Sequence, residues 1–106
     1  MVLAIDIGNT NIVIGCIQNK ECLFVERLST VHQKTEIEYA IDIKTVLDIY
    51  HIDVEQIEGG IISSVVPQVT NAAKLALEKI LKKNVMVVGA GDRKSTRLTS
   101  RMPSSA

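Results

Sequence analysis

The sequence is poor in aromatic residues: Phe and Tyr together make up 3% of its 106 residues, and Trp is absent. Proteins that hold single-stranded nucleic acids stack bases on aromatic side chains, so this composition argues against such a platform. Hydrophobic residues still make up 46% of the chain, which is enough for a core built from Ile, Val, Leu and Ala. The length suits one small domain and leaves no room for a two-domain enzyme.

The chain also lacks a net charge, although its first 91 residues and its last 15 carry net charges of opposite sign. Residues 1–91 carry 8 basic and 11 acidic side chains, whereas residues 92–106 carry 4 basic and 1 acidic. A mildly acidic body favours neither a nucleic-acid partner nor an anionic membrane surface. We therefore expect no nucleic-acid or membrane partner.

Metal-binding and disulfide patterns are missing as well. Cys16 and Cys22 form no C-x-x-C pair, and we interpret them as buried thiols in a reducing cytoplasm. His32 and His51 have no second ligand nearby in the sequence. The apolar start of the chain meets Asp6 too early for a signal peptide or a membrane-spanning helix, so we expect a cytoplasmic protein.

Hydrophobic periodicity predicts an α/β domain with the order β-β-β-α-β-α-β, in which helices cover a mixed sheet. Thr35 is the predicted N-cap of the first helix, which should end near His51. Pro67 is expected to close the fourth strand. The predicted strands cover residues 2–7, 12–17, 22–28, 57–66 and 85–88, and the second helix covers 69–81. The predicted apolar face of the first helix contains Ile37, Ala40, Ile41, Val46, Leu47 and Tyr50.

The last segment, residues 92–106, differs from the rest in composition. It is rich in Ser, Thr and Arg and has no hydrophobic periodicity. We interpret it as a non-native tail, since residues 92–98 look like the translation of a sequencing adaptor; a disordered basic tail is the alternative. The expected domain therefore covers residues 1–91.

The most informative segment for chemistry is Asp-Ile-Gly-Asn-Thr-Asn at residues 6–11. It joins a buried strand to a tight turn, in which Gly8 and Asn9 tolerate unusual backbone dihedrals and let a ligand approach the main chain. Backbone N–H groups of such a turn can bind an anion, with Thr10 and Asn11 as further donors. A carboxylate beside phosphates needs a cation between them, so Asp6 is a candidate Mg²⁺ ligand. The alternative is an ordinary polar hairpin turn.

Residues 3–11 resemble the opening of type III pantothenate kinases, which belong to the superfamily of acetate kinases, sugar kinases and actin. Further segments resemble the family in the same order; they are residues 27–30, 34–35 with 38–39, 62–67 and 87–91, whereas residues 36 and 37 depart from the family pattern. The resemblance implies a ribonuclease-H-like (actin-like ATPase) domain truncated before a second domain. It also implies that a loop from Asp6 to Val13 holds the ATP phosphates; its members are Asp6, Ile7, Gly8, Asn9, Thr10, Asn11, Ile12 and Val13.

The same resemblance implies an activity for the whole protein. It would transfer the γ-phosphoryl group of ATP to pantothenate, the first step of coenzyme A biosynthesis. It would use Mg²⁺ and a monovalent cation (K⁺ or NH₄⁺), and it would act as a homodimer. The alternatives are another kinase of the superfamily, a non-catalytic transcriptional accessory relative, and a fragment without a function of its own.

The chain departs from the family pattern at its end. Family members are more than twice as long, and their catalytic base is the Asp of a Gly-Ala-Asp-Arg motif. Residues 89–93 mimic that motif with one extra glycine, but the expected intervening segment is missing, so we reject Asp92 as the base. Without a base we expect no kinase turnover and at most weak ATP affinity. Three other polar sites are weaker candidates for ligand contact: Ser63-Ser64, Thr30 and Lys34.

Overall fold

The computed structural model describes residues 1–89, which form one five-stranded sheet and two helices. The elements, in chain order, are β1 Val2–Ile7, β2 Asn11–Gln18, β3 Glu21–Ser29, α1 Glu36–Ile49, β4 Gly59–Ser64, α2 Pro67–Leu81 and β5 Val85–Gly89, with a short 3-10 turn Val54–Gln56 before β4. The predicted order β-β-β-α-β-α-β is confirmed. Within these residues, neither helix is long and apolar enough to cross a membrane. The predictions for residues 92–106 lie outside the described residues.

The sheet has the strand order β3-β2-β1-β4-β5, with β1 at its centre. β1 pairs with β2 antiparallel and with β4 parallel, and β4 pairs with β5 parallel. The β2–β3 hairpin closes through Asn19 and Lys20, which both have positive φ, as a two-residue turn matched to strand twist requires. The carboxyl ends of β1, β4 and β5 therefore meet at one edge, beside the β1–β2 turn.

Both helices pack on one face of this sheet. Leu3, Ile5 and Ile7 of β1 belong to the same buried cluster as the inner residues of α1 and α2. Ala4 belongs to a separate, smaller cluster with Val13 and Ile17. Because side chains alternate between the faces of a strand, Asp6 lies on the second face together with Ala4. We call this second face, opposite the helices, the open face.

The first helix begins as predicted, and its predicted buried face is confirmed in part, at Ala40, Val46 and Leu47. Its buried residues are Tyr39, Ala40, Ile43, Val46 and Leu47. Ile37 and Ile41 are 54% and 58% exposed, so their predicted place in the core is wrong. Tyr39 takes the buried position because its hydroxyl exchanges hydrogen bonds with the backbone of Val31, which satisfies its polar end. Tyr50, at the helix C-cap, stacks on Phe24.

The N-terminus of α1 is held by a capping box. The Thr35 hydroxyl accepts a hydrogen bond from the Glu38 amide, and the Glu38 carboxylate accepts one from the Thr35 amide at 2.9 Å. These two bonds satisfy two amides that the helix itself leaves without partners. The backbone and side-chain bonds from Thr35 also lower the pKa of Glu38.

Replacing Thr35 with Ala should lower the free energy of unfolding by about 1 kcal/mol, because one cap amide loses its acceptor. Thr45→Ala is the matched control, since Thr45 lies in an exposed part of the same helix and Ala is the better helix former there. Urea unfolding followed by circular dichroism measures both. Equal destabilisation by the two substitutions would contradict a capping role.

The second helix starts two residues earlier than predicted. β4 ends at Ser64, and Pro67 begins α2 instead of only closing the strand. Proline suits the first helical position because it has no N–H to leave unsatisfied there. The buried residues of α2 are Val69, Ala73, Ala76, Leu77 and Leu81.

Candidate functional site

A row of five side-chain positions crosses the open face near the carboxyl ends of the parallel strands. The strand register pairs Asp6 with Val13 on one side and with Ser63 on the other. Arg27 pairs with Val13, and Val88 pairs with Ser63, which completes the row. Asp6 thus lies on the central strand of the sheet. It is close to the carboxyl ends of the parallel strands, where open α/β sheets bind their ligands.

The Asp6 carboxylate is half-buried and has no partner in the described part of the chain. It forms no ion pair or hydrogen bond with any of residues 1–89. Its burial raises its pKa above the usual value of 3.8, because burial disfavours the charged form. A carboxylate held in this way gains stability from a bound cation.

The turn after β1 presents backbone amides beside Asp6. The Gly8 amide is used internally, donating to the Asn11 carbonyl at 2.9 Å. Asn9 and Thr10 are exposed, and within residues 1–89 their amides donate no hydrogen bond. Two of the amides that we expected to bind an anion are therefore free to do so, and one is not.

The expected reason for Gly8 is wrong in one respect. Neither Gly8 nor Asn9 has a positive φ, so the turn does not need left-handed backbone. What it needs is space, because a Cβ on Gly8 would lie 3.2 Å from the carbonyl oxygen of Asn11. Glycine allows the two ends of the turn to approach closely.

Ile7, Ile12 and Val13 complete the predicted phosphate loop, but their side chains are buried. Ile7 and Ile12 belong to the core on the helix face. The Ile7 carbonyl accepts a hydrogen bond from the Val65 amide at 3.1 Å. These residues can therefore contribute to phosphate binding only through the position of their backbone. The polar contacts would be made by Asp6 and the turn.

The two serines at the end of β4 have different environments. The Ser64 hydroxyl accepts from the Val66 amide at 2.9 Å, just before α2 begins. Ser63 instead pairs with Asp6 across the parallel strands and is half-buried on the open face. Sequence reasoning treated them as equivalent, but alternation along β4 gives only Ser63 a place beside Asp6.

Thr30 and Lys34 bond within the protein. The Thr30 hydroxyl donates to the Gly8 carbonyl at 2.8 Å, and its amide donates to the Thr10 carbonyl at 2.9 Å. Lys34 forms an ion pair with Asp42 of α1, which raises its pKa. Thr30 thus holds the turn after β1 through two hydrogen bonds, a role that sequence reasoning missed.

No preformed metal cage exists within residues 1–89, where no three or more His, Cys, Asp or Glu side chains could jointly hold an ion. Cys16 and Cys22 are both free thiols. A single unpaired carboxylate fits Mg²⁺, which keeps several waters and takes other oxygens from substrate phosphates. Asp92, rejected above as a base, lies outside the described residues.

Comparison with known proteins gives a family match over nearly the whole chain. A family model for type III pantothenate kinase matches residues 2–105. A type III pantothenate kinase from Halalkalibacterium halodurans is 37% identical over 91 residues, which are 86% of this chain and 36% of the relative. The chain thus spans about a third of the length of that relative.

Solved structures share the fold at low identity. A candidate N-acetylglucosamine kinase from Porphyromonas gingivalis is 19% identical with a TM-score of 0.65, covering 84% of this chain and 34% of its own. A ROK hexokinase from Thermus thermophilus is 15% identical with a TM-score of 0.63, covering 83% and 34%. RuvC from the same organism, in complex with a Holliday junction, is 17% identical with a TM-score of 0.55, covering 84% and 64%. These likenesses confirm the predicted ribonuclease-H-like fold.

Proposed function

The chain belongs to the type III pantothenate kinase family, and on that basis we propose that it forms the ATP-phosphate-binding part of a kinase that phosphorylates pantothenate. One observation carries the proposal. Asp6 is a half-buried carboxylate without a partner among residues 1–89, beside a turn whose Asn9 and Thr10 amides are free. This combination of one anion and several donors suits a phosphate group that arrives together with a cation.

The division of roles within the site follows from its charges. The Asn9 and Thr10 amides would donate to phosphate oxygens, and Gly8 keeps the turn narrow enough to aim them. Asp6 would hold Mg²⁺, directly or through water, which supplies the charge neutralisation that phosphoryl transfer needs. Ser63, paired with Asp6 across the parallel strands, would hydrogen-bond to water in the same hydration shell.

The rest of the reaction needs groups that residues 1–89 do not provide. No base for the acceptor hydroxyl is identified among them, and the chain spans about a third of the length of its relative. Phosphoryl transfer depends on positioning both reactants, so half of a site should not turn over. We therefore propose that this chain binds nucleotide weakly and is inactive by itself.

The remaining properties of the whole protein are proposals that rest on family membership. They are pantothenate as acceptor, K⁺ or NH₄⁺ as a monovalent cation, a homodimer, and a cytoplasmic location. The alternative acceptors of other kinases in the superfamily gain no support from the solved structures, because an identity below 20% bears on the fold alone.

Titration of the ¹⁵N-labelled chain with MgATP tests this proposal. We expect chemical-shift changes centred on the amides of residues 6–11, with a dissociation constant of about 1 mM, equivalent to about −4 kcal/mol. MgAMP, which lacks the β- and γ-phosphates, is the control and should shift these amides much less. Shift changes located elsewhere, or equal changes with MgAMP, would refute phosphate binding at the turn.

The same purified chain tests the expected lack of turnover. ADP release should not increase when pantothenate is added to MgATP, because residues 1–89 offer no base for the acceptor hydroxyl. A coupled assay for ADP measures this. Robust pantothenate-dependent release by the 106-residue chain would show that the site is more complete than we propose.

A further inference from the structure

Thr30 makes two hydrogen bonds to the turn that follows β1. Its backbone amide donates to the Thr10 carbonyl at 2.9 Å, and its hydroxyl donates to the Gly8 carbonyl at 2.8 Å. The hydrogen bond from the Thr30 amide already joins the end of β3 to the turn. The hydroxyl bond is a second tie, and it acts on one particular peptide group.

That peptide group joins Gly8 to Asn9. A trans peptide is planar, so its carbonyl and its N–H point in opposite directions, and no cis peptide occurs in residues 1–89. When the Thr30 hydroxyl holds the Gly8 carbonyl, the Asn9 N–H is turned away from Thr30. Asn9 is exposed, and its amide has no acceptor among the described residues.

We propose that Thr30 is a positioning residue, whose hydroxyl fixes the Gly8–Asn9 peptide so that the Asn9 amide faces a nucleotide phosphate. The identity of the ligand in this inference rests on the proposed function. The orientation of the Gly8–Asn9 peptide does not depend on that function. Without the hydroxyl, the peptide can rotate and direct the Gly8 carbonyl oxygen toward the anion, which would repel it.

The remainder of the loop is held without this hydroxyl. Tyr39 exchanges hydrogen bonds with the Val31 backbone, and Lys34 pairs with Asp42 of α1. The Thr30 amide bond to Thr10 also does not depend on the side chain. Removal of the hydroxyl should therefore change the turn and leave the fold in place, with a fall in thermal midpoint of no more than about 8 °C.

The test compares three substitutions in the whole chain. Thr30→Val keeps the shape and removes the hydroxyl, whereas Thr30→Ser keeps the hydroxyl. Thr45→Val is the matched control, because the Thr45 hydroxyl also donates to a carbonyl, that of Ile41, but on the surface of α1. For each protein, the N–H residual dipolar coupling of Asn9 reports peptide orientation without nucleotide, and MgATP titration reports affinity.

We expect Thr30→Val to change the Asn9 coupling and to raise the MgATP dissociation constant about tenfold. Thr30→Ser and Thr45→Val should match the wild type in both measurements. A wild-type coupling and affinity in Thr30→Val, or a failure of Thr30→Ser to restore them, would overturn the proposal.

Two further outcomes have separate meanings. If MgATP does not perturb the wild-type turn, the proposed function fails, while the Asn9 coupling still decides whether Thr30 orients the peptide. If Thr30→Val unfolds and Thr30→Ser does not, the hydroxyl serves the fold as a whole, and the positioning role is overturned.

Discussion

Replacing Asp6 with Asn is expected to weaken MgATP binding about ten- to a hundredfold, without lowering the thermal midpoint of unfolding. The amide keeps the shape of the carboxylate but removes the charge that holds a cation, which is where most of the binding energy at this position lies. Calorimetric or NMR titration measures the dissociation constant. Asp48→Asn is the control, because Asp48 is exposed near the end of α1 and pairs with Lys44.

The same substitution should no longer weaken ATP binding when the metal is removed. In EDTA, the Asp6 carboxylate faces the phosphates without a cation and repels them. Asp6→Asn should therefore bind metal-free ATP as well as the wild type does, or better. If Asp6→Asn lost affinity for MgATP and for metal-free ATP by the same factor, Asp6 would not act through a cation.

The stability of the Asp6 variant follows from the raised pKa of the carboxyl. Burial makes the folded chain bind this proton more tightly than the unfolded chain does, so stability falls as pH rises from 3.8 through the raised pKa. Asn cannot ionise and avoids this loss. Compared with the wild type, Asp6→Asn should gain stability over that pH range and keep the gain at neutral pH, as thermal unfolding at several pH values would show.

Replacing Leu77 with Ala should have the largest effect on stability, a loss of about 3 kcal/mol in the free energy of unfolding. Leu77 is 0% exposed in the core between α2 and the sheet. Its Cδ1 lies so close to β4 that a Cβ added at Gly60 would be 3.3 Å away. Truncation would therefore leave a cavity beside a glycine, which has no side chain to fill it.

Leu75 in the same helix provides the control, because it is 37% exposed. Leu75→Ala should cost less than about 1 kcal/mol, since Ala is a good helix former and little apolar surface is lost from the core. Urea unfolding of both variants gives the comparison. Similar losses for the two substitutions would mean that α2 does not pack on the sheet through the face described.

Local sequence was sufficient to predict the strands and their order along the chain. The β-branched run of β1 and the short turn at Asn19 and Lys20 define hairpins from neighbouring residues alone. The face of α1 could not be predicted in the same way. Ile37 and Tyr39 both occur at plausible spacings, and the choice depends on hydrogen bonds between the Tyr39 hydroxyl and the backbone of Val31 in the preceding loop, which helical periodicity does not reveal.

The candidate site shows the same division. Asp6 and the turn at residues 8–11 are visible as a local motif, so their proposed role could be predicted from sequence. The difference between Ser63 and Ser64 depends on the pairing of β4 with β1, which are separated by more than fifty residues. The bond from Thr30 to Gly8 spans 22 residues and requires the register of two hairpins, so no local pattern could reveal it.

Paramagnetic relaxation with MnATP tests the central claim most directly. Mn²⁺ takes the oxygen ligands that Mg²⁺ prefers and broadens the NMR signals of nearby nuclei. We predict that sub-stoichiometric MnATP broadens the amides of residues 6–11 and of Ser63 first, and that Asp6→Asn abolishes this pattern. Broadening centred on other acidic residues, or the same pattern in Asp6→Asn, would contradict a cation-bridged phosphate site at Asp6.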